Sequence, residues 1–179
     1  MKVYQIFIAV LILSSLKPAT FSTSECRIKV SGTVTETRKY CGGARPTAEI
    51  LAQLNTPKPS PNKKIYIKKG KINTLDNKVI LALSTDAKGN FNAKLKPGTY
   101  LIVDSTKKDL NYYNQLLLAY KEKTESYKAI DSLCLKEWYE KADYVFEVTK
   151  SGENKISLNY LINCEEYVPC TTFLGPFRQ

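Results

Sequence analysis

Thr85-Asp86-Ala87-Lys88-Gly89-Asn90-Phe91 and, shortly after it, Leu95-Lys96-Pro97-Gly98-Thr99-Tyr100 are the stretches that decide the fold class of this 179-residue chain. In the first stretch Asp86 and Gly89 favour a tight turn, because aspartate caps such a turn and glycine accepts its positive φ angle. Pro97-Gly98 predicts a second turn. The residues between and after the turns alternate between apolar and polar, which is the pattern of β-strands.

The same alternation recurs on both sides of these stretches. Ser151-Gly152-Glu153-Asn154 is typical of a hairpin loop between the last two predicted strands. Short strands with closely spaced turns predict a mainly β chain folded as an antiparallel β-sandwich. The predicted strands span residues 26–37, 63–72, 78–85, 90–96, 99–103, 144–149 and 155–162.

Three segments depart from the strand pattern. Residues 47–54 predict one or two helical turns with Thr47 as the N-cap, and the prolines at 57, 59 and 61 predict an extended linker. From Leu110 the apolar spacing becomes helical, which predicts a helical insertion at about 110–141, as one helix or as two broken near Asp131-Ser132. We interpret its apolar stripe as packing against the sheet. The stripe comprises Leu110, Tyr113, Leu117, Tyr120, Tyr127, Ile130, Cys134 and Trp138.

Residues 26–104 carry a resemblance to a known family. Ser31-Gly32-Thr33-Val34, Ile65-Tyr66-Ile67 and the two stretches quoted first are similar to the carboxypeptidase regulatory-like, transthyretin-like (prealbumin) β-sandwich domains of exported Bacteroidetes-type bacterial proteins. In those domains a GxV first strand leads to a TDxxGxF hairpin and an LxPGxY strand. The Cys41–Pro61 insertion and the helical insertion depart from the minimal domain.

The resemblance implies a fold and a broad role. The fold is a transthyretin-like sandwich in which Phe91, Leu95 and Tyr100 point inward. The role is that of a non-catalytic module that stabilises, adheres or presents a ligand on an exported protein, although the fold does not fix the function.

The N-terminus predicts export. A positive Met1-Lys2, an apolar run at Ile6–Leu13 and small residues at 19–24 form the pattern of a signal peptide, which we place at residues 1–22. The apolar run is too short for a transmembrane helix of about 20 residues. We therefore predict a single domain at 23–179, secreted or periplasmic, that touches the membrane only through the uncleaved signal peptide.

Five cysteines follow the predicted signal peptide. Most should pair in an oxidising compartment, and the odd number leaves at least one free or bonded to another molecule. The sequence does not determine the pairing. For Cys41 we prefer a structural disulfide, with the C-terminal tail as one candidate partner. The disulfide candidates are Cys26, Cys41, Cys134, Cys164 and Cys170.

The composition excludes several chemistries. The chain has no histidine, which rules out Ser-His-Asp and Cys-His catalysis and histidine-ligated metals. Glu165-Glu166, with Asp143 and Glu147 upstream, is the one carboxylate group to consider, and solvated acids explain it better than a hydrolase site. Disulfides are favoured over a cysteine-only zinc site, and the turn at 86–90 has too few carboxylates for calcium. We predict no catalytic residue, cofactor or metal.

The charge and one loop bear on partners. The formal net charge is +10, but the lysines are spread along the chain, which favours a solvated surface over a nucleic-acid site. The long inserted loop after the first strand is the best candidate interaction surface, although its glycines also fit a simple turn. Its candidate residues are Cys41, Gly42, Gly43, Arg45 and Glu49.

The sequence therefore predicts a non-catalytic exported binding or structural module of the cell envelope. Its partner would be an unidentified protein or an envelope polymer. One alternative is an envelope hydrolase or hydrolase inhibitor with an unrecognised site. Another is a basic protein that binds anionic polysaccharide or lipid headgroups.

Overall fold

Two four-stranded sheets face each other in the described part of the chain. The computed structural model describes residues 26–152 and 154–175, so the predicted signal peptide at 1–22 lies outside the described residues. The β-sandwich prediction is confirmed. The strands are β1 (Ile28–Arg38), β2 (Lys58–Pro59), β3 (Lys64–Lys69), β4 (Val79–Ser84), β5 (Asn90–Leu95), β6 (Gly98–Val103), β7 (Tyr144–Val148) and β8 (Lys155–Ile162).

The first sheet is built around β1. Strands β5 and β2 pair with successive parts of one edge of β1, and β8 pairs along the other edge over residues 31–38. The second sheet has the order β4-β3-β6-β7. All of these pairs are antiparallel except β1 with β8, which is parallel. The antiparallel prediction therefore holds for every pair but one.

The sandwich core lies between the inner faces of the two sheets. Alternate residues of each strand point inward, so the strands bury one side and expose the other. Phe91, Leu95 and Tyr100 are among the buried residues, as the family resemblance implies. The core comprises Val30, Val34, Ile65, Ile67, Phe91, Ala93, Leu95, Tyr100, Ile102, Val148, Ile156 and Leu158.

The predicted turns form, but two of them do not close hairpins. The Asp86 carboxylate accepts hydrogen bonds from the backbone N–H groups of Lys88 and Asn90, both at 2.8 Å. This turn carries the chain from β4 in the second sheet to β5 in the first, so the hairpin prediction is wrong. The loop at 151–154 also connects different sheets, because β7 pairs with β6 and β8 pairs with β1. Local turn chemistry fixes a reversal without fixing the partner of the next strand.

The proline-rich linker also differs from its prediction. Lys58–Pro59 forms β2, opposite Glu36 and Thr35 of β1. The next residue, Ser60, is buried and donates a backbone hydrogen bond to the Val34 carbonyl. The segment is therefore part of the first sheet rather than a free connection.

Gly89 is required at its turn for two reasons. Its φ angle is +79°, and a Cβ added there would lie 2.4 Å from the Val34 carbonyl oxygen. We expect Gly89→Ala to lower the free energy of unfolding by about 2 kcal/mol or more, since backbone strain alone costs about 1–3 kcal/mol. Urea denaturation measures this loss.

Gly43→Ala is the matched control for this substitution, because a Cβ at Gly43 meets nothing within 4 Å. It should leave the unfolding midpoint close to that of the parent. Equal midpoints for the two variants would contradict the role assigned to Gly89.

Three helices accompany the sheets: α1 (Ala48–Asn55), α2 (Leu110–Ala119) and α3 (Ser132–Glu140). Thr47 caps α1 as predicted, with its hydroxyl accepting from the Ile50 N–H. The helical insertion is confirmed as two helices, and Asp131 caps the second. None of the described helices is long and apolar enough to cross a bilayer.

The buried face of the insertion is displaced from the predicted stripe. Leu116, Leu135 and Tyr139 are buried, one position away from the predicted Leu117, Cys134 and Trp138. Tyr139 packs over the outer face of the second sheet, where its ring centroid lies 5.7 Å from the Lys68 ammonium. The insertion therefore packs against the sheet, but through neighbouring residues.

A fully buried polar cluster joins α3 to β3. Lys68 and Asn73 are both 0% exposed. The Lys68 ammonium donates to the Asn73 side-chain oxygen at 2.6 Å and to the Lys107 carbonyl at 3.3 Å. The Asn73 amide donates to the carbonyls of Lys107 and Tyr139, at 3.1 and 2.8 Å. A single asparagine thus connects the lysine, the 104–109 segment and α3.

A second polar cluster connects the two sheets. The Lys107 ammonium lies 3.0 Å from an Asp143 carboxylate oxygen, and the Tyr160 hydroxyl donates to the same carboxylate at 3.2 Å. Burial raises the pKa of Asp143 despite the opposing charge of Lys107. Burial and this carboxylate also raise the pKa of Tyr160. Asp143 is therefore engaged in a structural network.

Candidate functional site

The parallel pairing of β1 with β8 brings two distant parts of the chain to one end of the first sheet. Arg38 lies opposite Ile162 in the ladder, and the next residue, Lys39, donates its backbone N–H to the Ile162 carbonyl at 2.9 Å. The two strands therefore leave the sheet side by side. Cys41 and Cys164 follow at once and form a disulfide.

The C-terminal segment after this disulfide runs along the loop between α2 and α3. Cys170 is bonded to Cys134 of α3, so the tail is fixed at both ends. Its backbone also pairs with the loop: the Lys128 N–H donates to the Thr172 carbonyl at 3.0 Å. The predicted disulfide pinning of the tail is confirmed.

The fifth cysteine, Cys26, is free and exposed. The structure thus supplies the pairing that the sequence left open. It also places the unpaired thiol near the start of β1 rather than in the interaction loop.

An open groove of about 1090 Å³ lies between the inserted loop and the tail. Its walls combine aromatic rings, hydroxyl and amide groups, one lysine and one glutamate. Both cysteines of the first disulfide are part of the wall. The lining residues are Lys39, Tyr40, Cys41, Gly42, Gly43, Ala44, Asn163, Cys164, Glu166, Tyr167, Val168, Thr171, Thr172 and Phe173.

Aromatic rings are held in place on both walls. A Cβ at Gly42 would lie 2.3 Å from the Tyr40 hydroxyl oxygen, so this glycine lets the ring lie against the loop. On the other wall the ring centroids of Phe173 and Tyr127 are 5.2 Å apart. Tyr167 remains 48% exposed, and the Lys39 ammonium lies 5.8 Å from its ring centroid. The groove therefore offers a fixed aromatic surface to solvent.

The structure divides the predicted interaction residues into two groups. Cys41, Gly42 and Gly43 line the groove, whereas Arg45 and Glu49 do not. Glu49 lies in the first turn of α1, where hydrogen bonds from its backbone N–H and from the Thr47 hydroxyl lower its pKa. This carboxylate therefore has a local role at the start of the helix.

The carboxylate group considered in the sequence is dispersed. Glu166 lines the groove, Asp143 belongs to the polar cluster between the sheets, and Glu147 lies in β7 opposite Thr99. Within the described residues no group of three or more histidine, cysteine or acidic side chains could hold a metal ion.

Sequence reasoning missed the tail as half of the groove. Asn163, Tyr167, Thr172 and Phe173 follow no period, and they were assigned only to a segment covering the surface. The pair Cys164 and Cys170 is the signal that could have identified them, because two disulfides give an aperiodic segment a fixed path.

Comparison with known proteins adds little at this point. No protein-family model matches the chain, and no curated protein matches it. Among solved structures, the shaft pilin SpaA from Lactobacillus rhamnosus GG is similar at a TM-score of 0.34 and 10% identity. The alignment covers 76% of this chain and half of the pilin chain. This likeness is too distant to bear on function.

Proposed function

We propose that the protein is a non-catalytic, exported binding module of the cell envelope, and that the groove between the inserted loop and the tail holds its partner. One observation carries this proposal. Two segments more than 120 residues apart in the chain converge on one open groove, and the Cys41–Cys164 disulfide fixes them there.

The lining favours a polymer chain with both apolar faces and hydroxyl groups. Tyr40, Tyr167 and Phe173 supply aromatic surface, and Asn163 and Thr172 supply hydrogen-bonding groups. Binding sites combine a mostly apolar wall with a few polar groups that orient the ligand. An envelope glycan meets both requirements, because its C–H faces pack on rings and its hydroxyls bond to amides.

The absence of histidine and the dispersal of the acids favour binding over hydrolysis. Glycoside hydrolysis uses two carboxyl groups about 5–10 Å apart across a cleft. Among the described lining residues, Glu166 is the single acid.

The family assignment belongs to the same proposal. We infer a carboxypeptidase regulatory-like, transthyretin-like domain from the order of its motifs. The GxV motif lies in β1, the TDxxGxF motif joins β4 to β5, and Pro97-Gly98 leads into β6. Two disulfides fit export to an oxidising compartment such as the periplasm or the exterior.

A titration of the full exported chain with soluble peptidoglycan fragments tests the groove. We expect amide chemical-shift changes confined to residues 39–44 and 163–173. Tyr167→Ala should weaken binding about tenfold, because truncating an aromatic contact at a site centre costs more than 1 kcal/mol. Leu161→Ala is the control, since Leu161 is equally exposed but does not line the groove.

Shift changes spread over the lysine-rich surface, or equal affinities for the two variants, would contradict the proposal. Heparin oligosaccharide distinguishes the basic-surface alternative. Heparin binding by diffuse charge should disappear by about 0.3 M salt, where the Debye length is shorter than 10 Å.

A further inference from the structure

Strand β4 is an outermost strand with an exposed apolar face. It pairs with β3 on one side, and no other described strand pairs with it. Ile80 is 51% exposed and Val79 38%, and the loop that leads into the strand exposes Ile72 and Leu75 at 57% and 43%. An exposed apolar edge is a template for adding another strand.

Among the described outermost strands, β4 is the one that carries no charge. Its sequence is VILALS. The others contain a charged residue each, which is a usual protection against strand addition. These residues are Lys58 in β2, Lys94 in β5, Glu147 in β7 and Lys155 in β8. Because the chain carries a net charge of +10, an uncharged edge is where two copies meet with the least repulsion.

The residues that flank β4 are complementary in charge. Lys78 precedes the strand and Asp86 follows it, and both are exposed. In an antiparallel pair of two β4 strands centred on Ala82, Ile80 faces Ser84 of the other copy and Lys78 faces Asp86. All of these residues share the parity of Ala82, so they lie on the same face. Two-fold symmetry makes the Lys–Asp pairing twice.

We propose that β4 is a self-association edge through which two copies of this chain pair antiparallel, centred on Ala82. The two second sheets would then form one continuous eight-stranded sheet. The exposed side chain of Ile80 would be covered by the second copy, and each Lys78 would lie opposite an Asp86. This pairing is independent of the groove, which lies beside the first sheet.

Cysteine cross-linking tests the register directly. In a Cys26→Ser background, Ala82→Cys places two thiols opposite each other on the symmetry axis, within the Cα separation that a disulfide spans. Ser84→Cys places them about 13 Å apart, because each lies two residues from the axis on opposite sides. We expect cross-linking at position 82 to be at least about tenfold faster. Equal or absent cross-linking at both positions would overturn the proposal.

Sedimentation velocity of the exported chain over a range of concentrations supplies the second readout. We expect the parent to form a dimer and Ile80→Lys to raise its dissociation constant by about tenfold or more. Leu161→Lys is the matched control, because Leu161 is 50% exposed on another outermost strand. It should change the dissociation constant by less than about twofold.

Lys78→Glu isolates the charge pairing. It sets an acid against Asp86 and should weaken the dimer more at low salt than at high salt. A parent that stays monomeric at every concentration, or a dimer weakened equally by the substitutions at positions 80 and 161, would overturn the proposal.

Discussion

Replacing Asn73 with alanine is expected to lower the free energy of unfolding by about 3–5 kcal/mol, although the residue touches neither the groove nor the sandwich core. Removing one member of a buried charged network leaves the others without partners, and this costs about that much. Here the Lys68 ammonium would lose its 2.6 Å acceptor and the Tyr139 carbonyl its 2.8 Å donor. Urea denaturation followed by tryptophan fluorescence measures the loss.

Asn77→Ala is the matched control for this prediction. Asn77 lies in the same loop and its amide also donates to two carbonyls, those of Ile72 and Lys69, but these hydrogen bonds are exposed. Water replaces exposed partners, so the expected cost is about 1 kcal/mol. Similar losses for the two variants would contradict the special role of the buried site.

The double variant Lys68→Met/Asn73→Leu identifies the source of the cost. Apolar residues of similar size remove both the buried charge and its acceptor, and such exchanges are often close to neutral. We expect the double variant to be more stable than Asn73→Ala, because only the two backbone carbonyls remain without donors. If it is less stable, the ammonium does not dominate the loss.

The pH dependence of stability gives an independent readout of Lys68. Burial lowers the pKa of Lys68, and the negative charge of Asp109 opposes this shift only in part. The folded state therefore releases a proton more readily than the unfolded state, and stability rises with pH from the lowered pKa up to the ordinary value near 10.5. Lys68→Met should remove this rise, relative to the parent measured over the same alkaline range.

The sandwich could be predicted because its signals are local. Alternation in segments such as Asn90–Leu95 records which side of a strand is buried, and turn residues such as Asp86 and Gly89 record where the chain reverses. Neither signal records which strand lies beside which. The residues that decide whether β5 pairs with β4 or with β1 are distributed over both sheets, so the hairpin predictions failed while the strands were found.

The helical insertion shows the same limit at finer scale. Leu116, Leu135 and Tyr139 are buried, but their neighbours Leu117, Cys134 and Trp138 are equally apolar. When apolar residues occupy adjacent positions, periodicity fixes the helix and leaves its rotation open by one residue. The buried polar contact between Lys68 and Asn73 then helps to set that rotation, since Asn73 bonds to the end of α3.

The groove was predictable only in half. The inserted loop stood out because its length and glycines are unusual in a compact domain. The tail did not, because its path depends on the parallel pairing of β1 with β8. That pairing joins residues more than 120 positions apart, and no local pattern in either strand records it.

Removing the Cys41–Cys164 disulfide, as Cys41→Ala/Cys164→Ala, is expected to lower the free energy of unfolding by about 5 kcal/mol. The disulfide closes a loop with a sequence separation of 123 residues, and the entropy that a cross-link removes from the unfolded chain grows with loop length. It also holds the ends of β1 and β8 together where the ladder stops. Denaturation without reductant, compared with the parent, measures the loss.

Two cysteine variants bracket this result. Cys134→Ala/Cys170→Ala opens a loop with a separation of 36 residues, so its expected loss is about 4 kcal/mol, smaller by about 1 kcal/mol. Cys26→Ser removes a free, exposed thiol and should change nothing. A Cys41→Ala/Cys164→Ala variant within 1 kcal/mol of the parent would mean that the β1–β8 ladder alone holds this end of the sheet. In that case the disulfide would serve the groove rather than the fold, and ligand affinity would fall while stability stayed constant.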